Sequence, residues 1–287
     1  MNNWHAIENS VVFGRVFVNR QRVIVSVGFY RDYNLFANKG NSHQAAHLMV
    51  KWRLVKNERG EKMLEVKQVR VALKNKLIFK DAYFTVEDHS IACLVAPNGS
   101  GKTALLNVVC GLLPSKKGFI QCNGISLRSK RRMFLNQIFF IQSTEDLFAN
   151  LTVKDHLLYV KKMWHSKIDS AQVMKQLDLT DSQNKQIKQL PQDKKQYVLL
   201  AMAIVSAAPV LLMDEPLNGL DFETTQKFEE ALKELREQGK SIVIASHQLD
   251  SVARISDKVL FFKDQQVLTI ENIGQDMAKQ YTEIYLT

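Results

Sequence analysis

The sequence IACLVAPNGSGKT occupies residues 91–103 and decides the fold class. Its first five residues are apolar and predict a buried strand, and the residues from Lys102 onward predict a helix. Between them lies the loop Ala96-Pro97-Asn98-Gly99-Ser100-Gly101. The backbone N–H groups of such a loop point inward and the helix N-terminus adds positive potential, so the segment predicts a phosphate-binding loop.

Two side chains that follow the loop have predicted roles. Lys102 is placed to reach the β- and γ-phosphates of a nucleotide, and the Thr103 hydroxyl to bind Mg²⁺. The pattern GxxxxGK(S/T) is met except at its first position, where Ala96 replaces Gly. A purely structural Gly/Ser turn is the alternative, and it is disfavoured because a strand precedes the loop and a helix follows it.

A second apolar run ends in two carboxylates. Residues 210–215 have the sequence VLLMDE. Asp214 at the end of this strand is placed to hold Mg²⁺, and Glu215 to orient or deprotonate an attacking water. An apolar run before Asp-Glu is weak evidence by itself, but together with the phosphate-binding loop it becomes strong.

The order of predicted elements indicates an α/β domain. From Val66 onward short β-rich runs alternate with helical stretches, which favours a three-layer core with a mostly parallel sheet. Residues 152–196 lack strand runs and predict several amphipathic helices, so we expect an inserted helical subdomain at about residues 143–197.

Composition limits the classes of function. The chain has 287 residues, a net charge of +10 and 46% apolar residues, which excludes wholesale disorder. Residues 1–62 contain ten of the 39 basic residues and four of the 29 acidic ones, so most of the excess lies there. The charge is therefore poor evidence for a nucleic-acid partner.

Three cysteines without metal-site spacing indicate a reducing compartment, and neither a membrane span nor a secretory signal is expected.

Residues 1–62 do not share the pattern of the rest of the chain. The residues Glu58-Arg59-Gly60-Glu61-Lys62 can be encoded by an almost wholly purine run, as in a bacterial ribosome-binding site ahead of a start codon. One interpretation is that Met63 is the natural first residue and that the domain spans residues 63–287. The other is a genuine N-terminal extension.

From Leu64 to about Phe262 the sequence resembles the ATP-binding cassette (ABC) family, the nucleotide-binding subunits of ABC transporters. Besides the two motifs above, three matches follow in family order. The resemblance implies that Gln142 binds Mg²⁺ and senses the membrane partner, that Asp221 belongs to the D-loop at the dimer interface, and that His247 contacts the γ-phosphate. The family also stacks an aromatic residue on adenine, and residues 71–74 contain none.

The largest departure lies at the signature motif, where the family has LSGGQ. Here Leu190-Pro191-Gln192-Asp193-Lys194 stands instead. In the family this motif grips the ATP bound to the opposite subunit, but Pro191 lacks both hydroxyl and N–H, and Asp193 repels phosphate. In the family each ATP site is formed by residues of two subunits. We therefore expect this chain to pair with a different cassette whose signature is intact, and we expect negligible ATPase activity of the isolated protein.

The resemblance implies an ATP-hydrolysing subunit, with ATP and Mg²⁺ as cofactors, at the cytoplasmic side of the cell membrane beside a separate permease. The absence of an added regulatory domain favours an exporter. One alternative is a soluble ABC-type switch that acts on ribosomes or DNA. Another is a subunit with little or no turnover, against which Glu215 argues. The transported substrate is not readable from this chain.

Overall fold

The computed structural model describes residues 16–18, 21–23, 62–73, 76–272 and 276–286. The chain divides into two units, Met1–Gly60 and Glu61–Thr287. In the first unit, strands Val16–Val18 (β1) and Gln21–Val23 (β2) pair in antiparallel fashion. A natural start at Met63 stays a prediction.

The second unit contains ten further strands and eight α-helices within the described residues. The strands are β3 (Lys62–Leu73), β4 (Lys76–Glu87), β5 (Ile91–Val95), β6 (Lys117–Cys122), β7 (Ile125–Ser126), β8 (Ile138–Ile141), β9 (Val210–Asp214), β10 (Ser241–Ser246), β11 (Lys258–Lys263) and β12 (Gln266–Glu271). The α-helices are α1 (Lys102–Val109), α2 (Arg131–Leu135), α3 (Val153–Met163), α4 (Ser170–Gln176), α5 (Gln192–Ser206), α6 (Phe222–Glu237), α7 (Leu249–Ile255) and α8 (Met277–Tyr285). Short 3₁₀ helices are Thr144–Asp146, Thr180–Ser182 and Ile187–Gln189.

A six-stranded sheet forms the centre of this unit, in the order β12-β11-β5-β10-β9-β8. The five strands from β11 to β8 run parallel, and β12 pairs with β11 in antiparallel fashion. The middle strands β5, β9 and β10 are almost entirely buried. Continuous apolar strands of this kind are typical of a parallel sheet that is covered on both faces.

Alternate side chains of the central strands enter two different cores. One face, with Cys93 of β5 and Met213 of β9, packs against α3 to α7. The other face, with Leu94 and Leu212, packs against α1 and the second sheet, whose order is β4-β3-β6-β7. The layers are therefore helices, parallel sheet, and antiparallel sheet with α1, which confirms the predicted three-layer class.

Helices α3, α4 and α5 form the predicted helical insertion between β8 and β9. Helix α3 begins with a capping box, in which the Thr152 hydroxyl accepts a hydrogen bond from the N–H of Asp155 and the Asp155 carboxylate accepts one from the N–H of Thr152. Helix α5 ends at a left-handed residue, Ala207, with φ of 58°. Among the described residues, no helix is both long and apolar enough to cross a membrane.

Candidate functional site

Three strands of the parallel sheet deliver the predicted site residues to one edge. In the register of the sheet, Val95 at the end of β5 lies beside Ser246 at the end of β10. Asp214 at the end of β9 lies beside Ala245. Because the carboxyl ends of parallel strands meet at one edge, the loops after β5, β9 and β10 converge there, where open α/β sheets bind ligands.

In the loop after β5, the backbone at Gly101 lies so close to Ile78 that it leaves no room for a side chain. Gly99 and Gly101 have left-handed φ angles of 76° and 110°. A Cβ atom on Gly101 would lie 2.4 Å from Cγ2 of Ile78, whereas one on Gly99 would meet no atom within 4 Å. Ala96 is buried and has no left-handed φ, so the first position of the motif does not require glycine in this chain.

Polar groups in this loop fit a phosphate. The hydroxyl oxygen of Ser100 is buried and has no hydrogen-bond partner among the described residues, which is costly unless a ligand supplies one. Nζ of the buried Lys102 donates to the carbonyl oxygen of Ala96 at 2.8 Å. A phosphate oxygen is a better acceptor for this ammonium than a neutral carbonyl, because the hydrogen bond is then charge-assisted on both sides.

Oxygen ligands suited to Mg²⁺ come together from two chain segments. The Thr103 hydroxyl donates to Oδ2 of Asp214 at 2.5 Å. Burial raises the pKa of Asp214, and the nearby charge of Glu215 raises it further, while the Thr103 hydrogen bond and Lys102 act in the opposite direction. A half-buried carboxylate beside a hydroxyl is a hard-oxygen pair of the kind that Mg²⁺ prefers, and a divalent cation would relieve the cost of its partial burial.

Glu215 is held in an unusual backbone conformation beside this pair. Its φ is 49°, which costs energy for a residue with a side chain, and its N–H donates to the carbonyl of Ala245 at 2.9 Å. One carboxylate oxygen lies 3.5 Å from Nζ of Lys102 and the other 2.8 Å from Nδ1 of His247. The carboxylate is thus aimed between the phosphate-binding loop and the exposed His247.

Gln142 lines a cleft next to these groups. The cleft has a volume of about 460 Å³, and Gln142 shares its wall with Asp214 and Glu215. The remaining lining residues are polar and come from the segment after β8, from the start of α5 and from the loop after β9: Ser143, Thr144, Glu145, Gln192, Lys195, Gln196 and Asn218. Polar walls and an exposed Gln142 fit a charged, hydrated ligand.

The residues at the signature position form the start of α5, and two of their side chains donate hydrogen bonds within this chain. Pro191 is the N-cap of α5 and makes no side-chain capping bond. Nε2 of Gln192 donates to the Thr144 hydroxyl at 2.8 Å, and Nζ of Lys194 donates to the Asp178 carbonyl at 2.9 Å. Leu190 is buried, and Asp193 lies in the first turn, where its charge offsets the helix dipole.

Asp221 does not join the cleft. Its carboxylate accepts a hydrogen bond from the N–H of Thr224 at 2.7 Å and caps α6. This hydrogen bond lowers the pKa of Asp221. Its predicted role at a dimer interface stays a prediction.

The expected lack of an adenine-stacking aromatic falls partly outside the described residues, because residue 74 and the side chain of Leu73 are not described.

Sequence reasoning missed six of the residues that line the cleft: Ser143, Thr144, Glu145, Lys195, Gln196 and Asn218. Thr144 holds Gln192, and Lys195 and Asn218 line the wall. Lys195 directly follows the signature position and Asn218 lies in the predicted D-loop, so proximity to a motif was the available signal. For Thr144 the signal was weaker, since it lies two residues after Gln142 in a polar segment.

The fold and the site define a P-loop nucleoside triphosphatase. A glycine-bearing loop lies between a buried strand and a helix, and a buried lysine, a Thr-Asp pair and an oriented glutamate meet it at one edge of the sheet. Residues 79–218 match the family model described as ABC transporter. Over 218 residues the chain is 34% identical to the probable iron chelatin transport ATP-binding protein of Helicobacter pylori, across 71% of this chain and 85% of that protein.

Two further comparisons agree. The chain is 29% identical over 192 residues to the ribose import ATP-binding protein of Oceanobacillus iheyensis, across 63% of this chain and 39% of that protein. A solved ATP-binding subunit of an ABC transporter has the same fold, with a TM-score of 0.71 and 22% identity, across 77% of this chain and 99% of that one. The chain belongs to the ABC transporter ATP-binding proteins, and its domain is an ATPase coupled to transport.

Proposed function

We propose that residues 96–103 bind the phosphates of ATP and that Glu215 serves as the general base for its hydrolysis. The observation that carries the proposal is the placement of the Glu215 carboxylate, 3.5 Å from Nζ of Lys102 and 2.8 Å from Nδ1 of His247. Thr103, Asp214 and Gln142 offer hydroxyl, carboxylate and amide oxygens for Mg²⁺, which when bound neutralises charge on the β- and γ-phosphates.

Hydrolysis then follows from the side chains in place. Lys102 leaves the Ala96 carbonyl for the phosphate oxygens, where its charge stabilises the transferring group. Glu215 accepts a proton from water as the water oxygen bonds to the γ-phosphorus and the bond to the β–γ bridging oxygen breaks, which yields ADP and phosphate. His247 keeps the carboxylate oriented through its 2.8 Å contact and, as the family resemblance implies, reaches the γ-phosphate.

The kind of cassette that pairs with this chain is inferred from the residues at the start of α5. Pro191 supplies no N–H, and the side-chain amide of Gln192 donates to the Thr144 hydroxyl. Asp193 adds a negative charge where an anion would dock. A second copy of this chain would place two such helix starts in a dimer. We propose instead a heterodimer, in which a different cassette with LSGGQ completes the site built on Lys102 and Glu215.

The permease would contact the helical insertion at four exposed apolar side chains. Phe148 and Leu151, in the loop before α3, and Leu158 and Tyr159, on α3, are between 37% and 47% exposed. We refer to these four residues as the apolar patch. It begins six residues after Gln142, so a helix of the permease seated on it would lie near the segment that carries Gln142 to the cleft. Peripheral attachment to the cytoplasmic side of the membrane is part of this proposal.

The direction of transport belongs to the proposal as well. Export is our expectation, whereas two of the relatives are named import proteins. Purification of the tagged full-length chain from native membranes in mild detergent should recover an integral membrane protein and a second cassette. Reconstitution of that complex in vesicles with ATP on one side then gives the direction from the side on which substrate accumulates.

A matched pair of variants makes the purification specific. Leu158→Glu in the apolar patch should release the chain from the membrane complex. Met133→Glu, at another half-exposed apolar side chain, should leave it bound. Recovery of the protein only as a soluble homodimer with robust, cooperative ATPase activity would overturn both the heterodimer and the permease.

A further inference from the structure

The hydroxyl of Tyr285, on helix α8, bridges two main-chain groups of the parallel sheet. It donates to the carbonyl oxygen of Val95 at 3.0 Å and accepts a hydrogen bond from the N–H of Phe262 at 2.8 Å. The ring is half-buried, and it packs near Phe261 and Tyr281, with ring centroids 6.2 and 4.6 Å away. One side chain 190 residues later in the chain therefore completes the hydrogen bonding of β5.

The bridge stands where the pairing of β5 with β11 ends. The last pair in their register is Phe261 with Val95, after which β5 leaves the sheet while β11 continues to Lys263. Main-chain groups at such a point lose their ladder partners and need others, since buried unpaired groups are costly. The Tyr285 hydroxyl supplies an acceptor to one strand and a donor to the other.

The same contact lies at the entrance of the phosphate-binding loop. Val95 directly precedes Ala96, and the peptide group between them is planar, so a hydrogen bond to the Val95 carbonyl also sets the direction of the Ala96 N–H. The carbonyl of Ala96 in turn accepts from Nζ of Lys102. The chain of contacts runs from Tyr285 through Val95 and Ala96 to the lysine.

We propose that Tyr285 is a positioning residue for nucleotide binding, which it favours by holding the first peptide group of the phosphate-binding loop. The proposal rests on the binding of ATP phosphates by residues 96–103. Helix α8 thereby contributes to the site without touching the nucleotide. Because burial raises the pKa of Tyr285 to about 12, its hydroxyl remains a donor throughout the neutral range.

Tyr285→Phe tests the proposal, because it removes the hydroxyl and keeps the ring. In the full-length protein at a temperature well below unfolding, we expect Mg-ATP to bind about three- to tenfold more weakly, in line with the loss of buried main-chain hydrogen bonds. Binding is measured with a fluorescent ATP analogue, and the unfolding temperature is measured on the same samples.

Asn272→Ala is the matched control for stability. The Asn272 side chain donates to the carbonyls of Ala253 and Ser256, at distances of 3.0 and 2.8 Å. It lies at the edge of the sheet where β11 begins, opposite the phosphate-binding loop. Its loss should lower the unfolding temperature and leave the dissociation constant of ATP unchanged.

Lys102→Ala separates the two levels of the proposal. If it weakens ATP binding while Tyr285→Phe binds as wild type does, ATP binding at the loop stands and the positioning role of Tyr285 is wrong. If wild type and Lys102→Ala bind ATP equally, the proposed phosphate site fails, and the role of Tyr285 fails with it. Weaker binding in both variants, with Asn272→Ala unchanged, supports the positioning role.

Discussion

Nδ1 of His247 lies 2.8 Å from Oε2 of Glu215, and this contact joins the ends of two neighbouring parallel strands. The other oxygen of the same carboxylate faces Nζ of Lys102 at 3.5 Å. Glu215 reaches this position through a left-handed backbone whose N–H is tied to the Ala245 carbonyl. Among the described residues, nine non-glycine residues have a left-handed φ, and one of them is the residue that the proposed chemistry requires.

Replacement of this carboxylate should separate binding from hydrolysis. In the assembled transporter, we expect Glu215→Gln to bind ATP as wild type does and to hydrolyse it at least about 100-fold more slowly, because an amide cannot accept the proton of water. Phosphate release and nucleotide affinity are measured on the same complex. Glu223→Gln, at an exposed position of α6, is the control and should hydrolyse normally. Equal hydrolysis by Glu215→Gln would rule out its role as the base.

Two glycines of the phosphate-binding loop should differ in their tolerance of alanine. Both have left-handed φ angles, and a side chain at such a position costs roughly 1–2 kcal/mol. Only Gly101→Ala also brings Cβ to 2.4 Å from Ile78. We therefore expect it to weaken ATP binding at least about tenfold and Gly99→Ala to weaken it less, as measured by titration calorimetry. The reverse order would contradict the described loop.

Restoration of the signature should create activity in the isolated protein. The triple variant Pro191→Ser, Gln192→Gly, Asp193→Gly returns a hydroxyl and a backbone N–H to position 191, removes the side chains of the next two positions and removes a negative charge. We expect it to hydrolyse ATP cooperatively as a homodimer, whereas wild type alone does so negligibly. Addition of Glu215→Gln should abolish the gain. A triple variant that dimerises with ATP yet shows no added turnover would argue against signature loss as the cause.

The capping box of α3 should make stability depend on pH. Hydrogen bonds from Thr152 lower the pKa of Asp155, so its stabilising effect is present above the pKa of the unfolded state and is lost as the pH falls through the lower folded value. Thr152→Ala should reduce the free energy of unfolding by about 1 kcal/mol at pH 7. The difference from wild type should shrink as the pH falls below the ordinary aspartate pKa of about 4. Denaturant titrations at several pH values measure both, and a constant difference would exclude the coupling.

The three cysteines should be inert in the folded protein. Cys93, Cys110 and Cys122 are at most 3% exposed. Burial raises the pKa of each thiol, to about 12 for Cys122, so the reactive thiolate is scarce at neutral pH. Ellman's reagent should label none of them under native conditions and all three in denaturant. Rapid native labelling of any one would show that its core opens.

The elements that sequence predicted best carry their information in adjacent residues. A buried strand, a glycine loop and a helix start lie within residues 91–103, and a strand with two carboxylates lies within residues 210–215, so each could be recognised without knowledge of the rest. The first position of the loop was different. Whether Ala96 can replace glycine depends on its φ angle, and only the folded backbone provides that.

By itself the sequence determined the class of protein, the order of strand, glycine loop and helix from residue 91 onward, and the departure at Pro191 to Asp193. These features are local, since each is written in a few consecutive residues whose chemistry is readable. Only the tertiary structure decided that Thr144 holds Gln192 and that Tyr285 holds Val95. Such pairs are 48 and 190 residues apart and follow no periodic pattern, because they form only where the register of the sheet and the packing of distant helices bring them together.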